Sequence, residues 1–267
     1  TEQDAPTGPA DAVQQIRDQH LVEMYAIRRE FEKLKTEQRW IHGQRDGTDL
    51  DVVRAVEAAV DLQAGRQPSE NIYRRFQKER RTLCVMVLVD LSGSTLGPVL
   101  AEEQRAIVFL SEALQALSVP HSFYGFSSEG AQVCRFQRIR EWEDDDVQVA
   151  KRMGSLMAGG GSRMGAHIRH ATQLLQKRPE EHRLLLVLSD GRPEDRDGYR
   201  GQYGIADTAM AVRECASRGV QFHCVSLDSK EAQYLPKLFG PYGFTSVDSP
   251  DRLATVLPQI FRSISWG

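Results

Sequence analysis

The sequence contains little cysteine and no long apolar run. Its four cysteines, at positions 84, 134, 215 and 224, lie far apart and form no Cys-x-x-Cys pair. This spacing excludes the usual zinc-binding patterns and favours reduced thiols in a cytoplasmic protein. No apolar run reaches the roughly 20 residues that a membrane-spanning helix needs, and the N-terminus shows no secretory signal pattern. We therefore expect a cytoplasmic protein that does not insert into a membrane.

An excess of positive charge is also absent. The 267 residues include 34 lysines and arginines against 37 aspartates and glutamates, a formal net charge of −3, so nucleic acid is not an expected partner. Hydrophobic residues make up 40% of the chain and charged residues 27%, which is typical of one globular domain with a smaller attachment. The polar start "TEQDAPTGPAD" has Thr1 in place of a methionine and indicates a segment of a longer protein.

Residues 1–80 predict a helical N-terminal extension. From about residue 11, apolar side chains recur every three or four positions, as in an amphipathic helix that packs through one stripe. The stripe consists of Val13, Ile16, His20, Met24, Ile27, Phe31 and Leu34. A second helix is indicated by Thr48 as its cap, with Asp51 three residues later, and by Gly65 as its stop. The apolar positions of this second helix are Val53, Val56 and Val60.

Residues 81–267 predict an α/β domain. Short apolar runs alternate with amphipathic helices, a pattern typical of a doubly wound, mainly parallel sheet flanked by helices on both faces. Strands are expected at "TLCVMVLVD", "HSFYGF", "HRLLLVLSD" and "VQFHCVSL", with an edge strand at "AQVCRFQRI". Helices are expected over residues 98–117, 163–177, 204–218 and 251–264.

Two of the buried strands finish in a carboxylate. Asp90 ends "VMVLVD" and is followed by Ser92, Ser94 and Thr95, while Asp190 ends "LLLVLSD". Because ligands bind at the carboxyl ends of parallel strands, both acids are expected at one functional edge of the sheet. Three kinds of site compete for this edge: a metal site, an anion cradle and a nucleophile.

The anion cradle and the nucleophile each lack a required residue. No lysine follows Asp90 as in a phosphate loop, and "MAGGGSRMG" does not keep the G-x-G-x-x-G register. A serine elbow requires glycine where "GFSSEG" has Glu129, and a phosphate-attacking aspartate requires a second acid where the chain has Ser92. A phosphatase or hydrolase that uses Asp90 or a serine is kept as the rival hypothesis.

A metal site fits these residue types better. Mg²⁺ prefers hard oxygen ligands, and the Ser92 and Ser94 hydroxyls, two positions apart on a tight loop, can ligate it directly. Asp90 and Asp190 supply negative charge, directly or through water. Ser162, at the head of a predicted helix, offers a hydroxyl from a third segment.

These three segments resemble the metal-ion-dependent adhesion site of von Willebrand factor A domains. Asp90, Ser92 and Ser94 match its D-x-S-x-S motif, Ser162 its usual threonine, and Asp190 its last acid. The resemblance implies that these five residues bind Mg²⁺, or another divalent cation such as Mn²⁺ or Ca²⁺. It also implies that an acidic side chain of a partner protein completes the coordination, and that the domain is not an enzyme.

A narrower resemblance is to the C-terminal domain of NorD-type and CbbO-type proteins, which work with MoxR-type AAA+ ATPases. It rests on "VDLSGST", "SRMGAHIRHATQLL", "LLLVLSDGRPEDRDGYRGQYGIADTAMAV" and "YLPKLFG". NorD-type proteins assist activation of nitric oxide reductase, and CbbO-type proteins assist removal of inhibitors from Rubisco. The resemblance implies an adaptor that recruits a target enzyme to the ATPase. The general likeness of residues 184–228 favours Rubisco as the target, with nitric oxide reductase as the alternative.

Overall fold

The computed structural model describes residues 1–9, 11–36, 39–77, 82–189, 192–226 and 234–265. Their contacts form two compact units, one made of Thr1–Glu32 with Thr82–Gly267 and the other of Lys33–Arg81. The strands are β1 (Glu2–Asp4), β2 (Arg39–Gln44), β3 (Asp49–Leu50), β4 (Tyr73–Gln77), β5 (Leu83–Asp90), β6 (His121–Glu129), β7 (Val133–Arg140), β8 (His182–Ser189), β9 (Gln221–Ser226) and β10 (Phe244–Ser246). The helices are α1 (Asp11–Gln19), α2 (Leu21–Thr36), α3 (Val52–Gln63), α4 (Pro98–Leu117), α5 (Asp146–Met153), α6 (Met164–Gln176), α7 (Gly201–Ser217), α8 (Leu235–Phe239) and α9 (Leu253–Ser265).

The first unit is built on a seven-stranded sheet in the order β1-β7-β6-β5-β8-β9-β10. Five strands, β5, β6, β8, β9 and β10, are parallel to one another, while β7 runs antiparallel to β6 and β1 runs parallel to β7. The predicted fold class, a mostly parallel sheet flanked by helices, is confirmed. The prediction that β7 is an edge strand is wrong, because β1 lies outside it. β1 has three polar residues, too few for a periodic pattern.

The apolar composition of β5 explains its central position in the sheet. Seven of its eight residues are buried, as expected for an apolar strand covered on both faces. It is paired with β6 on one side and β8 on the other, and the β8 register aligns Val89 with Leu188. The carboxyl ends of β5 and β8 therefore lie side by side.

The N-terminal residues belong to the same core. Val13, Met24, Ile27 and Phe31 are buried as predicted, and the Phe31 ring packs edge-on against Phe261 of α9 with centroids 5.4 Å apart. The single predicted helix is two helices, α1 and α2, that meet at His20. No helix among the described residues is long and apolar enough to cross a bilayer.

The second unit differs from the predicted helical extension over residues 1–80. Its described residues include a three-stranded antiparallel sheet in the order β2-β4-β3, and helix α3 lies between β3 and β4 in the chain. Its strands read "RWIHGQ", "DL" and "YRRFQ", which lack the alternation of apolar residues that identifies a strand in sequence. The structure thus replaces the predicted boundary at residue 80 with boundaries near 32 and 82.

Helix α3 was predicted, but its cap lies three residues later than expected. Asp51, not Thr48, is the N-cap, and its carboxylate accepts the Arg54 backbone N–H at 3.4 Å. The helix ends just before Gly65, whose φ of +70° fits the expected glycine stop. Its apolar positions Val53 and Val56 are exposed in this structure.

The first prediction tests the assignment of α2 to the α/β core. Replacing the fully buried Phe31 with alanine is expected to lower the free energy of unfolding by about 3–5 kcal/mol, because it removes the contact with Phe261 and leaves a cavity. Tyr25→Ala on the opposite, exposed face of α2 is the matched control and is expected to change stability by about 0.5 kcal/mol or less. Chemical denaturation followed by circular dichroism measures both. Equal effects of the two substitutions would contradict the assignment.

Candidate functional site

The loop after β5 carries the first three predicted site residues. Asp90 Oδ1 accepts the backbone N–H of Ser92 at 3.0 Å, and the Thr95 hydroxyl donates to the Ser92 carbonyl at 2.9 Å. These two bonds fold residues 90–95 into a tight turn that ends in a short 3-10 helix, Gly93–Thr95. The turn brings the Ser92 and Ser94 Oγ atoms to 2.9 Å from each other. The two hydroxyls that were predicted as ligands therefore lie next to each other.

The other Asp90 oxygen connects this loop to two further segments. Asp90 is completely buried, and its Oδ2 accepts hydrogen bonds from the hydroxyls of Ser162, at 3.1 Å, and Ser189, at 2.8 Å. The structure therefore brings together Asp90, Ser92, Ser94 and Ser162. Asp190 lies outside the described residues, directly after Ser189.

Ser189 is a participant that the sequence reasoning missed. It ends β8 beside the end of β5 and donates directly to Asp90. The signal was present in the "SDG" segment, where only the aspartate was assigned a role. A serine at a strand end next to a buried carboxylate is a hydrogen-bond donor that the carboxylate requires.

The donor set suits a hard divalent cation. Adjacent oxygen ligands of an octahedral Mg²⁺, each about 2.1 Å from the ion, lie about 3.0 Å apart, and the Ser92 and Ser94 hydroxyl oxygens are 2.9 Å apart. Ser94 is exposed while Ser92 and Ser162 are buried, so the hydroxyl cluster is open to solvent on the Ser94 side. The residues present therefore fit a hard divalent cation.

The glycine-rich segment serves close backbone packing. The Gly93 N–H donates to the Gly160 carbonyl at 2.9 Å, and the Gly159 N–H donates to the Leu91 carbonyl at 2.8 Å. Gly160 has a φ of +83°, and a Cβ there would lie 2.5 Å from the Ser128 carbonyl oxygen. The glycines therefore allow the Ser162 segment to lie against the Ser92 loop, a role different from the phosphate cradle considered above.

An acidic cluster beyond β8 is a second feature that the sequence reasoning missed. The Arg163 guanidinium donates from Nε to Asp195 at 2.9 Å, forms an ion pair with Asp197, and stacks over the Tyr199 ring at 4.6 Å. Burial acts to raise the pKa of Asp195, but hydrogen bonds from the Gly130 N–H and other donors outweigh it and hold the pKa below its usual range. The charged "RPEDRDGY" was the available signal, although its pattern did not show which pairs form.

Two buried histidines, His121 and His223, contact residues outside the serine cluster. His121 Nδ1 contacts the Val119 carbonyl at 2.8 Å, and His223 Nε2 contacts the Thr245 hydroxyl at 2.9 Å. Burial lowers the pKa of each to about 4, so both are neutral near pH 7. With Asp90 already accepting three hydrogen bonds, the geometry gives the hydrolase hypothesis no support.

A second cluster of potential ligands lies where α2, α4 and the segment before α9 meet. One ligand atom each from His20, Glu23 and Asp251 lies within 4.8 Å of the others. Arg105 Nη1 is 3.4 Å from His20 Nε2 and 3.8 Å from Asp251 Oδ1. The guanidinium therefore already supplies positive charge there, and the cluster is best understood as an electrostatic contact.

Comparisons with known proteins agree with this description. The family described as VWA domain containing CoxE-like protein matches residues 24–237. An uncharacterized protein of Pseudomonas aeruginosa is 36% identical over 247 residues, 89% of this chain and 40% of that protein. Protein NorD of Stutzerimonas stutzeri is 34% identical over 236 residues, 85% of this chain and 38% of NorD. The chain thus spans about two fifths of the length of these relatives.

Solved structures share the fold at low sequence identity. The PilB minor pilin from Streptococcus sanguinis aligns with a TM-score of 0.54 and 11% identity, over 72% of this chain and 64% of that one. The vWF domain of the pili tip protein Mfa5 from Porphyromonas gingivalis aligns with a TM-score of 0.50 and 10% identity, over 68% of this chain and 95% of that one. At these identities the likeness concerns the fold alone.

The second prediction tests the packing of the glycine segment. Gly160 and Gly198 both have a φ of +83°, but only at Gly160 would a Cβ meet another atom within 4 Å. Alanine at either position is expected to destabilise the fold by about 1–2 kcal/mol, because its backbone must adopt a left-handed conformation. Gly160→Ala is expected to lose at least about 1 kcal/mol more, because Cβ overlaps the Ser128 carbonyl. Thermal unfolding of the two variants compares them, and equal losses would refute the close approach.

Proposed function

The chain belongs to the family of CoxE-like proteins with a VWA domain, and on this basis we propose that it is a divalent-cation-dependent adaptor. Its task is to hold a target enzyme for remodelling by a MoxR-type AAA+ ATPase. The adaptor itself is non-catalytic. Mg²⁺ is the proposed ion, with Mn²⁺ or Ca²⁺ as substitutes, and Asp90, Ser92, Ser94, Ser162 and Asp190 are the proposed residues that hold it.

One observation carries this proposal: the Ser92 and Ser94 hydroxyls lie 2.9 Å apart beside the buried Asp90 carboxylate. Ser92 and Ser94 would contact the ion directly, and Asp90 orients Ser92 and Ser162 through its hydrogen bonds. When bound, the cation supplies positive charge at the solvent-facing side of the cluster, where an acidic side chain of the target can reach it.

The relatives bear on the choice of target. Protein NorD from Stutzerimonas stutzeri and from Brucella melitensis are both 34% identical to this chain, and these names favour the NorD-type alternative over the CbbO-type reading. We therefore propose nitric oxide reductase as the target, in place of Rubisco. The four cysteines lie far apart in the sequence, a spacing that favours action in a reducing compartment such as the cytoplasm.

The third prediction concerns cation affinity. Calorimetric titration with Mg²⁺ is expected to show about tenfold or greater weakening for Ser92→Ala, Ser94→Ala and Asp90→Asn, because each removes a ligand or the charge that orients one. Ser217→Ala is the matched control, since its hydroxyl donates to the Glu214 carbonyl at the end of α7, near the amino edge of the sheet. Its affinity is expected to equal that of the wild type. Unchanged binding in all three site variants would place the ion elsewhere.

The fourth prediction connects the site to the proposed task. Full-length protein carrying Ser92→Ala together with Ser94→Ala is expected to fail in ATPase-dependent activation of nitric oxide reductase, while Ser217→Ala supports normal activation. Variants are preferable to chelators here, because the ATPase itself requires Mg²⁺. A double variant that binds no cation yet activates its target normally would refute the adaptor mechanism. Activation of Rubisco alone would support the CbbO-type alternative, and hydrolysis of generic esters that is lost in Asp90→Ala would support the rival enzyme.

A further inference from the structure

The segment that carries Ser162 is held by the loop that follows β8. The Ser162 backbone N–H donates to the Glu194 carbonyl at 2.6 Å. The next residue, Arg163, donates from Nε to Asp195 at 2.9 Å, and the residue before, Gly161, packs against the same carboxylate. A Cβ at Gly161 would lie 2.5 Å from Asp195 Oδ1. Ser162 is thus fixed on both sides by Glu194 and Asp195.

The Asp195 carboxylate also holds the turn between β6 and β7. Its side chain is 0% exposed, and Oδ1 accepts backbone N–H groups from Gly130, at 3.1 Å, and from Arg196, at 2.7 Å. Oδ2 accepts from Arg163. One buried carboxylate therefore joins the Ser162 segment, the β6–β7 turn and its own loop, and charge-assisted bonds of this kind are the strong ones.

A direct bridge reinforces the connection between the β6–β7 turn and the Ser162 segment. Ser128 and Gly161 exchange two backbone hydrogen bonds, of 2.8 and 2.7 Å. The Arg163 backbone N–H donates to the Ser128 hydroxyl at 3.1 Å. Any displacement of Asp195 would therefore be transmitted to the position of the Ser162 hydroxyl, which lies 3.1 Å from Asp90.

We propose that Asp195 is a positioning residue of the cation site: it sets the Ser162 hydroxyl through Arg163 and Gly161 and couples occupancy of the site to residues 192–200. The proposal rests on the cation binding proposed above. It deepens that function by identifying the loop whose order depends on occupancy of the cation site. The loop lies beside the Ser162 segment, and its Arg192 and Arg196 are exposed.

Asp197 provides a matched control for Asp195. It pairs with the same arginine and accepts the Ala131 N–H at 2.9 Å, but its side chain is 45% exposed. Solvent screens the attraction within an exposed ion pair. A buried carboxylate that loses its hydrogen bonds cannot replace them with bonds to water. The two aspartates share a partner and a loop but differ in burial and in contact with Gly161.

The experiment compares Asp195→Asn with Asp197→Asn by calorimetric titration of Mg²⁺ and by hydrogen exchange with and without Mg²⁺. We expect Asp195→Asn to weaken Mg²⁺ binding by about tenfold and Asp197→Asn to leave it near the wild-type value. In metal-free protein, Asp195→Asn is expected to speed amide exchange at Gly161 and Ser162. Adding Mg²⁺ is expected to slow exchange at Gly130 and Arg196 in the wild type, but not in Asp195→Asn.

Arg163→Lys is a second variant that tests the same contact if Asp195→Asn fails to fold. It retains the positive charge but loses the Nε bond to Asp195 and the planar stack on Tyr199, so an intermediate loss of Mg²⁺ affinity is expected. Wild-type affinity in both Asp195→Asn and Arg163→Lys would overturn the positioning role while leaving cation binding intact. Failure of the wild type itself to bind Mg²⁺ would overturn the proposed function and this inference with it.

Discussion

A fully buried carboxylate at the end of the central strand constrains the structure around it. Burying a carboxylate is costly unless its oxygens are hydrogen-bonded or face a cation. Asp90 meets this requirement with the Ser92 N–H and the hydroxyls of Ser162 and Ser189. Since these donors come from three segments distant in sequence, the loop after β5, the Ser162 segment and the end of β8 must converge on one point at the sheet edge.

The chemistry of the site follows from that convergence. Among the described residues, the cluster comprises one carboxylate, Asp90, and the hydroxyls of Ser92, Ser94, Ser162 and Ser189. Neutral hydroxyls neutralise little of a cation's charge, so an ion held by them retains an attraction for an external carboxylate. Because Asp90 is buried and Ser94 is exposed, that attraction is directed outward. This arrangement suits the proposed binding role.

The parts of the structure that depend on periodicity and on strand ends were predictable. The apolar run of β5 predicted a buried central strand, helix α4 spans the predicted residues 98–117, and the parallel arrangement of β5 and β8 follows from the α/β alternation. The meeting of Ser162 with Asp90 was predicted through a resemblance to a known motif. The Asp195 contacts were not, because ion pairs between loops leave no periodic signal. β1 and the small sheet of residues 39–77 were missed because their strands are short and polar.

The location of a bound cation tests the proposed binding at Ser92 and Ser94 most directly. Mn²⁺ replaces Mg²⁺ at oxygen sites and scatters X-rays anomalously. Crystals grown with Mn²⁺ therefore show where the ion binds, and no partner protein is needed. If the serine cluster holds the ion, one anomalous peak is expected within bonding distance, about 2.2 Å, of both the Ser92 and Ser94 hydroxyl oxygens. A peak at the cluster of His20, Glu23 and Asp251 instead, or no peak at saturating Mn²⁺, would contradict it.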